Sequence, residues 1–226
     1  MPADDLPAIR DAATVILVRR GPGGPRVLMG RREAGAVFMP GRHVFPGGAV
    51  EPGDAGVVLA GLPGPLCRRR LARESRLSPA ALAACAIREL WEETGLALGR
   101  PARWPDPPPG WEGFAARGLV PDASALSLVF RAITPPGWPR RYDARFFLAD
   151  AAVLGGDAGG PHAGDGELDD LRWVAPGEFA ALELAHVTRV VLDTVRPLLD
   201  RPRPPARLVF RRTGPQPGSA TSPARS

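Results

Sequence analysis

The sequence contains no lysine; all 29 basic residues among its 226 are arginine. Cysteine is almost as scarce, with only Cys67 and Cys85. Two isolated thiols build neither a disulfide framework nor a paired-cysteine metal site, and they suit a reducing, cytoplasmic compartment. Long apolar runs are missing as well. The longest, Ala12–Val18, is far too short to cross a bilayer. The start, Met1-Pro2-Ala3-Asp4-Asp5, has neither the basic opening nor the apolar centre of a secretory leader, so no membrane association is expected. No internal repeat is legible.

The formal charge of +5 and the pI near 10.6 point at first to nucleic acid. Their distribution says otherwise. Residues 1–196 carry 23 Arg against 23 acidic residues, whereas residues 197–226 carry six Arg against one Asp. The excess belongs to the tail, and a basic nucleic-acid face is excluded for the body. Arginine without lysine, beside 27 Gly and 28 Pro, reads as a chain-wide compositional bias.

What is present suits one α/β domain over residues 10–200, with residues 1–9 as an N-terminal extension and 201–226 as a disordered Pro/Arg-rich tail. Strands are expected at Ala12–Arg19 and Arg26–Arg32, joined by a Gly/Pro turn as a hairpin. Further strands are expected at Leu126–Thr134, Tyr142–Ala149 and Leu168–Val174. Phe38–Gly48 reads as a loop around a short extended piece. Residues 55–78 read as an insertion, 100–121 as a second irregular region with a short helix at Trp111–Ala116, and Gly155–Gly166 as an acidic loop. Helices are expected at Ala80–Thr94, Pro176–Leu184 and Ala185–Leu199. The sum is a mixed sheet between helices, an α/β/α sandwich.

The helix at Ala80–Thr94 stands out. Ser78-Pro79 supplies a cap and a first-turn proline, and Gly95 suits a left-handed stop. Glu89 and Glu93 lie four apart on one face with Glu92 beside them, opposite Ala83, Ala86, Ile87, Leu90 and Thr94. Arg88 can reach Glu92. Such a cluster is either a solvated acidic face or a seat for a cation that offsets the repulsion.

Gly48-Ala49-Val50-Glu51-Pro52-Gly53-Asp54, followed by Arg88-Glu89-Leu90-Trp91-Glu92-Glu93-Thr94-Gly95-Leu96, resembles the signature box of the Nudix hydrolases. Phe45-Pro46-Gly47-Gly48 also matches what that family shows before its box. Two departures are visible: Asp54 stands where the family has Glu, and an insertion of 26 residues splits the box before Arg88. The resemblance implies a hydrolase of a diphosphate within a nucleotide conjugate, using Mg²⁺ or Mn²⁺, with homodimers common among such enzymes. It implies Glu89 and Glu93 as metal ligands, and Glu92 as a further ligand or the base that positions water. Arg88 would orient a carboxylate, and Gly47 and Gly48 would let the loop approach the metal, with Asp54 at the first carboxylate position. For the general base, Glu167 leads over Asp157, Asp165, Asp169 and Asp170, with Glu92 as its rival.

The split box resembles a coenzyme A diphosphatase branch, implying coenzyme A or acyl-coenzyme A as substrate. ADP-ribose or a dinucleotide is the alternative, as is a non-catalytic nucleotide sensor. Relatives in that branch carry an Arg where this chain has Val37. Arg42, Arg140 and Arg141 could bind substrate phosphate, and Trp104, Trp111 or Trp138 could stack on adenine; surface placement and core packing are the ordinary alternatives. His43, His162 and His186 have no zinc-site spacing.

Overall fold

The computed structural model describes residues 7–154, 166–200, 205 and 207–212. In chain order the elements are β1 (Ile9–Arg19), β2 (Arg26–Arg32), β3 (His43–Val44), β4 (Gly47–Ala49), α1 (Pro65–Ala72), α2 (Pro79–Thr94) and β5 (Gly99–Pro101). They continue with α3 (Glu112–Ala116), β6 (Leu119–Pro121), β7 (Ser127–Ile133), β8 (Arg141–Asp150), β9 (Leu168–Val174), α4 (His186–Val195) and β10 (Val209–Arg212). A mixed eight-stranded sheet runs β10-β7-β8-β1-β2-β3, with β4 also paired to β1 and β9 to β2. The expected α/β/α sandwich is what forms. Among the described residues, no helix is long and apolar enough to cross a membrane.

β1 is the axis of the sheet. Along one edge it pairs in parallel with β8, from Ile9↔Arg141 to Val18↔Asp150. Its other edge is divided: Ala12–Thr14 pairs with β4, and Val18–Arg19 pairs with β2 in the expected hairpin. The two-residue period of a strand splits the apolar side chains between two cores. Ala13, Val15 and Leu17 join Leu82, Ala86, Ile87 and Leu90 of α2. Ile16 and Val18 join Val191, Leu192 and Val195 of α4. A bulge between Leu128 and Phe130 breaks this alternation in β7, so Val129 and Phe130 both enter the α4-side core.

Several expectations need correction. Pro176–Leu184 is not a helix; only Phe179–Ala181 makes a 3-10 turn, because Glu183 and Leu184 are drawn extended along His43. Residues 100–121 are ordered by pairing β5 with β6 around α3. The insertion is ordered too: Pro52–Gly56 is a 3-10 turn at its base, α1 follows, and Cys67 and Leu71 enter the α2-side core. The reading of 201–226 as disordered fails at β10, which pairs in parallel with β7. The expected loop at 155–166 falls outside the described residues except for Gly166.

Candidate active site

The ends of α2 form as their residue types dictate. The Ser78 hydroxyl accepts a hydrogen bond from the Ala81 amide at 3.0 Å, and Pro79 opens the first turn. Gly95 takes the left-handed conformation, with φ of 66°, and its amide donates to the Trp91 carbonyl at 2.8 Å. Between these caps the helix lies across β1 and β4. Arg88 and Glu93 are buried in that contact, whereas Glu92 stays partly exposed.

Two glycines make the contact close. A Cβ on Gly48 would stand 2.5 Å from both carboxylate oxygens of Glu89, and one on Gly47 would meet the Ala13 carbonyl and Thr14 at 2.6 Å. The Gly47 amide donates to Glu93 at 2.8 Å, which fixes a carboxylate only 2% exposed. Arg88 ties the cluster together. Its Nε and Nη2 donate to the two oxygens of Asp54 at 2.9 and 3.1 Å, and its Nη1 lies 2.8 Å from Glu92 and 3.0 Å from Glu89. Nη2 also donates to the Ala49 carbonyl at 3.0 Å. Asp54 is thus a buried clamp on Arg88, and its second oxygen accepts from the Glu51 amide at 2.8 Å. The insertion leaves the site at this clamp.

The electrostatics follow from burial. Desolvation pushes the Glu89 carboxyl up to about 7, against the pull of Arg88, and the charges of Glu92 and Glu167 push the same way. Burial opposes the Arg88 charge, but the Asp54 hydrogen bonds and the Glu89 and Asp54 charges outweigh it, so the guanidinium stays firmly protonated. Cys85, beneath Arg88 and the Gly48 carbonyl, is kept a neutral thiol by burial and by the Asp54 and Glu89 charges.

Glu89, Glu92 and Glu93 offer an all-oxygen donor set of the kind hard divalent cations select. As the side chains stand, among the described residues no three acidic, His or Cys groups are gathered closely enough to hold an ion. The reason is visible: Arg88 draws in Glu89 and Glu92, while Gly47 holds Glu93. The fit lies in this all-oxygen donor set, in the Glu89 carboxyl, held up at about 7 by burial even with Arg88 3.0 Å away, and in Gly48, where any side chain would collide with Glu89.

The remaining sequence candidates separate. Glu167 sits 3.5 Å from Arg32, and its charge reaches Glu89. Asp169 pairs with Arg31, and Asp170 lies 3.4 Å from the buried His43. Arg42 pairs with Glu183, and Arg141 donates to the Thr134 carbonyl at 3.2 Å. Neither arginine is brought onto the Glu cluster by these contacts. His186 opens α4, and Asp157, Asp165 and His162 lie outside the described residues. Arg32, Cys85 and the Ala49 carbonyl were not read as site residues; Arg32 and Ala49 meet the site only through tertiary packing, whereas Cys85, three residues before Arg88 on α2, carried a helical-spacing signal.

No family model matches the chain. Among curated proteins it is similar to nudix hydrolase 7 of Caenorhabditis elegans, 28% identical over 75% of this chain and 52% of that protein. It is also similar to the acyl-coenzyme A diphosphatase NUDT19 of Gallus gallus, 30% identical over 62% of this chain and 54% of that protein. The chain spans about half the length of these curated relatives. Among solved structures, a NUDIX hydrolase from Alicyclobacillus acidocaldarius superimposes with a TM-score of 0.67 at 29% identity, covering 86% of this chain and 94% of that one.

Proposed function

We propose that the chain is a member of the Nudix hydrolase family, to whose proteins it is similar in sequence and fold, and that it acts as a divalent-metal-dependent diphosphatase of nucleotide conjugates. The leading substrate class is coenzyme A or acyl-coenzyme A, cleaved with water to adenosine 3′,5′-bisphosphate and 4′-phosphopantetheine or its acyl form. The observation that carries the reading is the Glu89–Glu92–Glu93 cluster, set against Gly47 and Gly48 and organised by the Asp54–Arg88 clamp. The similarity to an acyl-coenzyme A diphosphatase supports the substrate class. Buried, unpaired Cys67 and Cys85 suit a cytoplasmic setting.

Glu89, Glu92 and Glu93 would hold Mg²⁺ or Mn²⁺, which when bound neutralises diphosphate charge and makes coordinated water more acidic. The rest is the work of this chain's own residues. Gly47 fixes Glu93 through its amide, and Gly48 leaves Glu89 room against the loop. Arg88 holds Glu92 and Glu89 at set positions through one guanidinium edge. Glu167 is the group assigned to accept the proton of the attacking water; its carboxylate is exposed, anchored by Arg32 and within electrostatic reach of Glu89.

The test is product analysis by mass spectrometry over coenzyme A, acyl-coenzyme A, ADP-ribose, NADH and dinucleoside polyphosphates, with Mg²⁺ or Mn²⁺. The expected result is phosphopantetheine release from coenzyme A or its acyl esters, abolished in Glu93→Gln with the fold intact. Full turnover by Glu93→Gln would remove the metal assignment. Cleavage confined to ADP-ribose or dinucleotides would replace the substrate class.

A further inference from the structure

Three strands end around one cavity. Arg19 closes β1, Asp150 closes β8 and Trp173 is next to last in β9. Together with Arg20, Leu96 and Leu154 they line a space of about 330 Å³. It lies apart from the Glu89–Glu92–Glu93 cluster. Arg19 follows Leu17 by two residues and so shares its α2-facing side of β1, and Trp173 packs against the same core. The glycine loop meets β1 at Ala13 and Thr14. Five residues, or about 17 Å of strand, separate Thr14 from Arg19.

The polar groups of this wall are only partly matched. Arg20 donates through Nε to the Leu199 and Asp200 carbonyls at 3.0 and 2.9 Å, and through Nη1 to the Asp150 carboxylate. Its Nη2 is buried without a hydrogen-bond partner, and so is Nε1 of Trp173. Native structures leave few such donors, because each has given up water without gaining an acceptor. The Arg19 guanidinium lies over the Trp173 indole, 4.4 Å from its centre, and forms no ion pair among the described residues. Two guanidiniums against one carboxylate leave the wall with one positive charge. Leu96, Leu154 and the Trp173 ring give it apolar surface.

We propose that this cavity binds a small organic carboxylate. The carboxylate accepts from Arg19, from Arg20 Nη2 and from Trp173 Nε1, and the apolar body of the acid lies against Leu96 and Leu154. Each unmatched group is a donor, so the ligand must bring acceptors. A planar guanidinium fork fits a carboxylate, and a single surplus positive charge suits a monoanion. Asp150 in the wall opposes a second negative charge, which disfavours a phosphate. The volume is at the lower end of small-molecule sites, roughly 300–1,000 Å³, and suits a compact acid over an extended nucleotide conjugate. The site stands independently of the diphosphatase reading, since no residue of the Glu cluster takes part in it.

The test follows the indole N–H resonances of the full chain by NMR. Trp173→Phe removes one of five such signals and so identifies it. Millimolar benzoate is expected to shift that signal downfield, acetate to shift it less at equal concentration, and inorganic phosphate not to displace benzoate. Trp173→Phe keeps the ring body, and Arg19→Gln changes an exposed side chain. Each should weaken benzoate binding about tenfold by titration calorimetry. Ala152 also lines the cavity and is exposed, so Ala152→Leu should abolish binding with an unchanged circular dichroism spectrum. An unmoved Trp173 signal, or undiminished affinity in both folded variants at Arg19 and Trp173, overturns the site. Full binding by Ala152→Leu overturns the cavity as its seat, and phosphate bound as tightly as benzoate overturns the carboxylate assignment.

Discussion

Arg88 gathers Asp54, Glu89 and Glu92 on one guanidinium, and its partners differ in how deeply they are buried. Asp54 is the most deeply buried of them, so Asp54→Ala leaves a largely desolvated cation with only Glu89, Glu92 and the Ala49 carbonyl as oxygen partners. The expected loss is about 3 kcal/mol by urea unfolding, and a loss below about 1 kcal/mol would remove the clamp. Glu89 makes a pH prediction. Its folded value is raised from 4.5 to about 7, so the folded chain holds more proton than the unfolded chain between those values. In chelator-treated protein, stability should therefore fall as pH rises from 4.5 to 7, by up to about 3 kcal/mol from this group. Glu89→Gln should flatten that slope, and thermal melts of both proteins across the range check it. Helix spacing alone made Arg88–Glu92 and the nearness of Glu89 to Glu93 legible. The Asp54–Arg88 bond was not legible, because the chain between them leaves the site and returns.

At the scale of the element, α2 is the part the sequence described best, since caps and helical period are local properties. Ser78→Ala should cost about 1 kcal/mol, read from the shift in the unfolding midpoint, because the Ala81 amide loses its acceptor. β2 and β9 matched their expected limits for a related reason: each is a β-rich run bounded by turn residues. Pro176–Leu184 misled because its helical composition is overridden by pairing with His43, a contact that no local window contains. The loop–helix contact carries its own test. Gly48→Ala should push Glu89 aside and abolish metal-dependent turnover while circular dichroism stays unchanged; retained turnover would show that the close approach is dispensable.

Across the whole molecule, the segment after α4 has a place in the architecture. β10 extends the sheet beyond β7, and Phe210 lies under Arg131 at 4.7 Å. Arg131 in turn binds Asp143 at 2.8 and 2.6 Å and the carbonyls of Arg73 and Glu74, each at 2.8 Å. One buried side chain thus joins the insertion, the sheet and the C-terminal strand. Truncation after Leu199 should lower stability by about 1 to 2 kcal/mol, or about 2 to 8 °C in Tm. An unchanged melting curve would show that β10 adds nothing. The reading of this tail as unstructured came from composition, which marks Arg/Pro-rich sequence as disordered but cannot register that β7 offers an open edge. The axial position of β1 also sets a clock. Its full-length partner is β8, so Ile9 waits for Arg141 to leave the ribosome, on the order of ten seconds at ordinary elongation rates. During that interval β1 has only β2 and β4 beside it, and its β8 edge stays open to other chains. The carboxylate-bearing helix α2 and its glycine loop emerge early but mature late, and their assembly is timed by a strand that contributes no side chain to the Glu89–Glu92–Glu93 cluster.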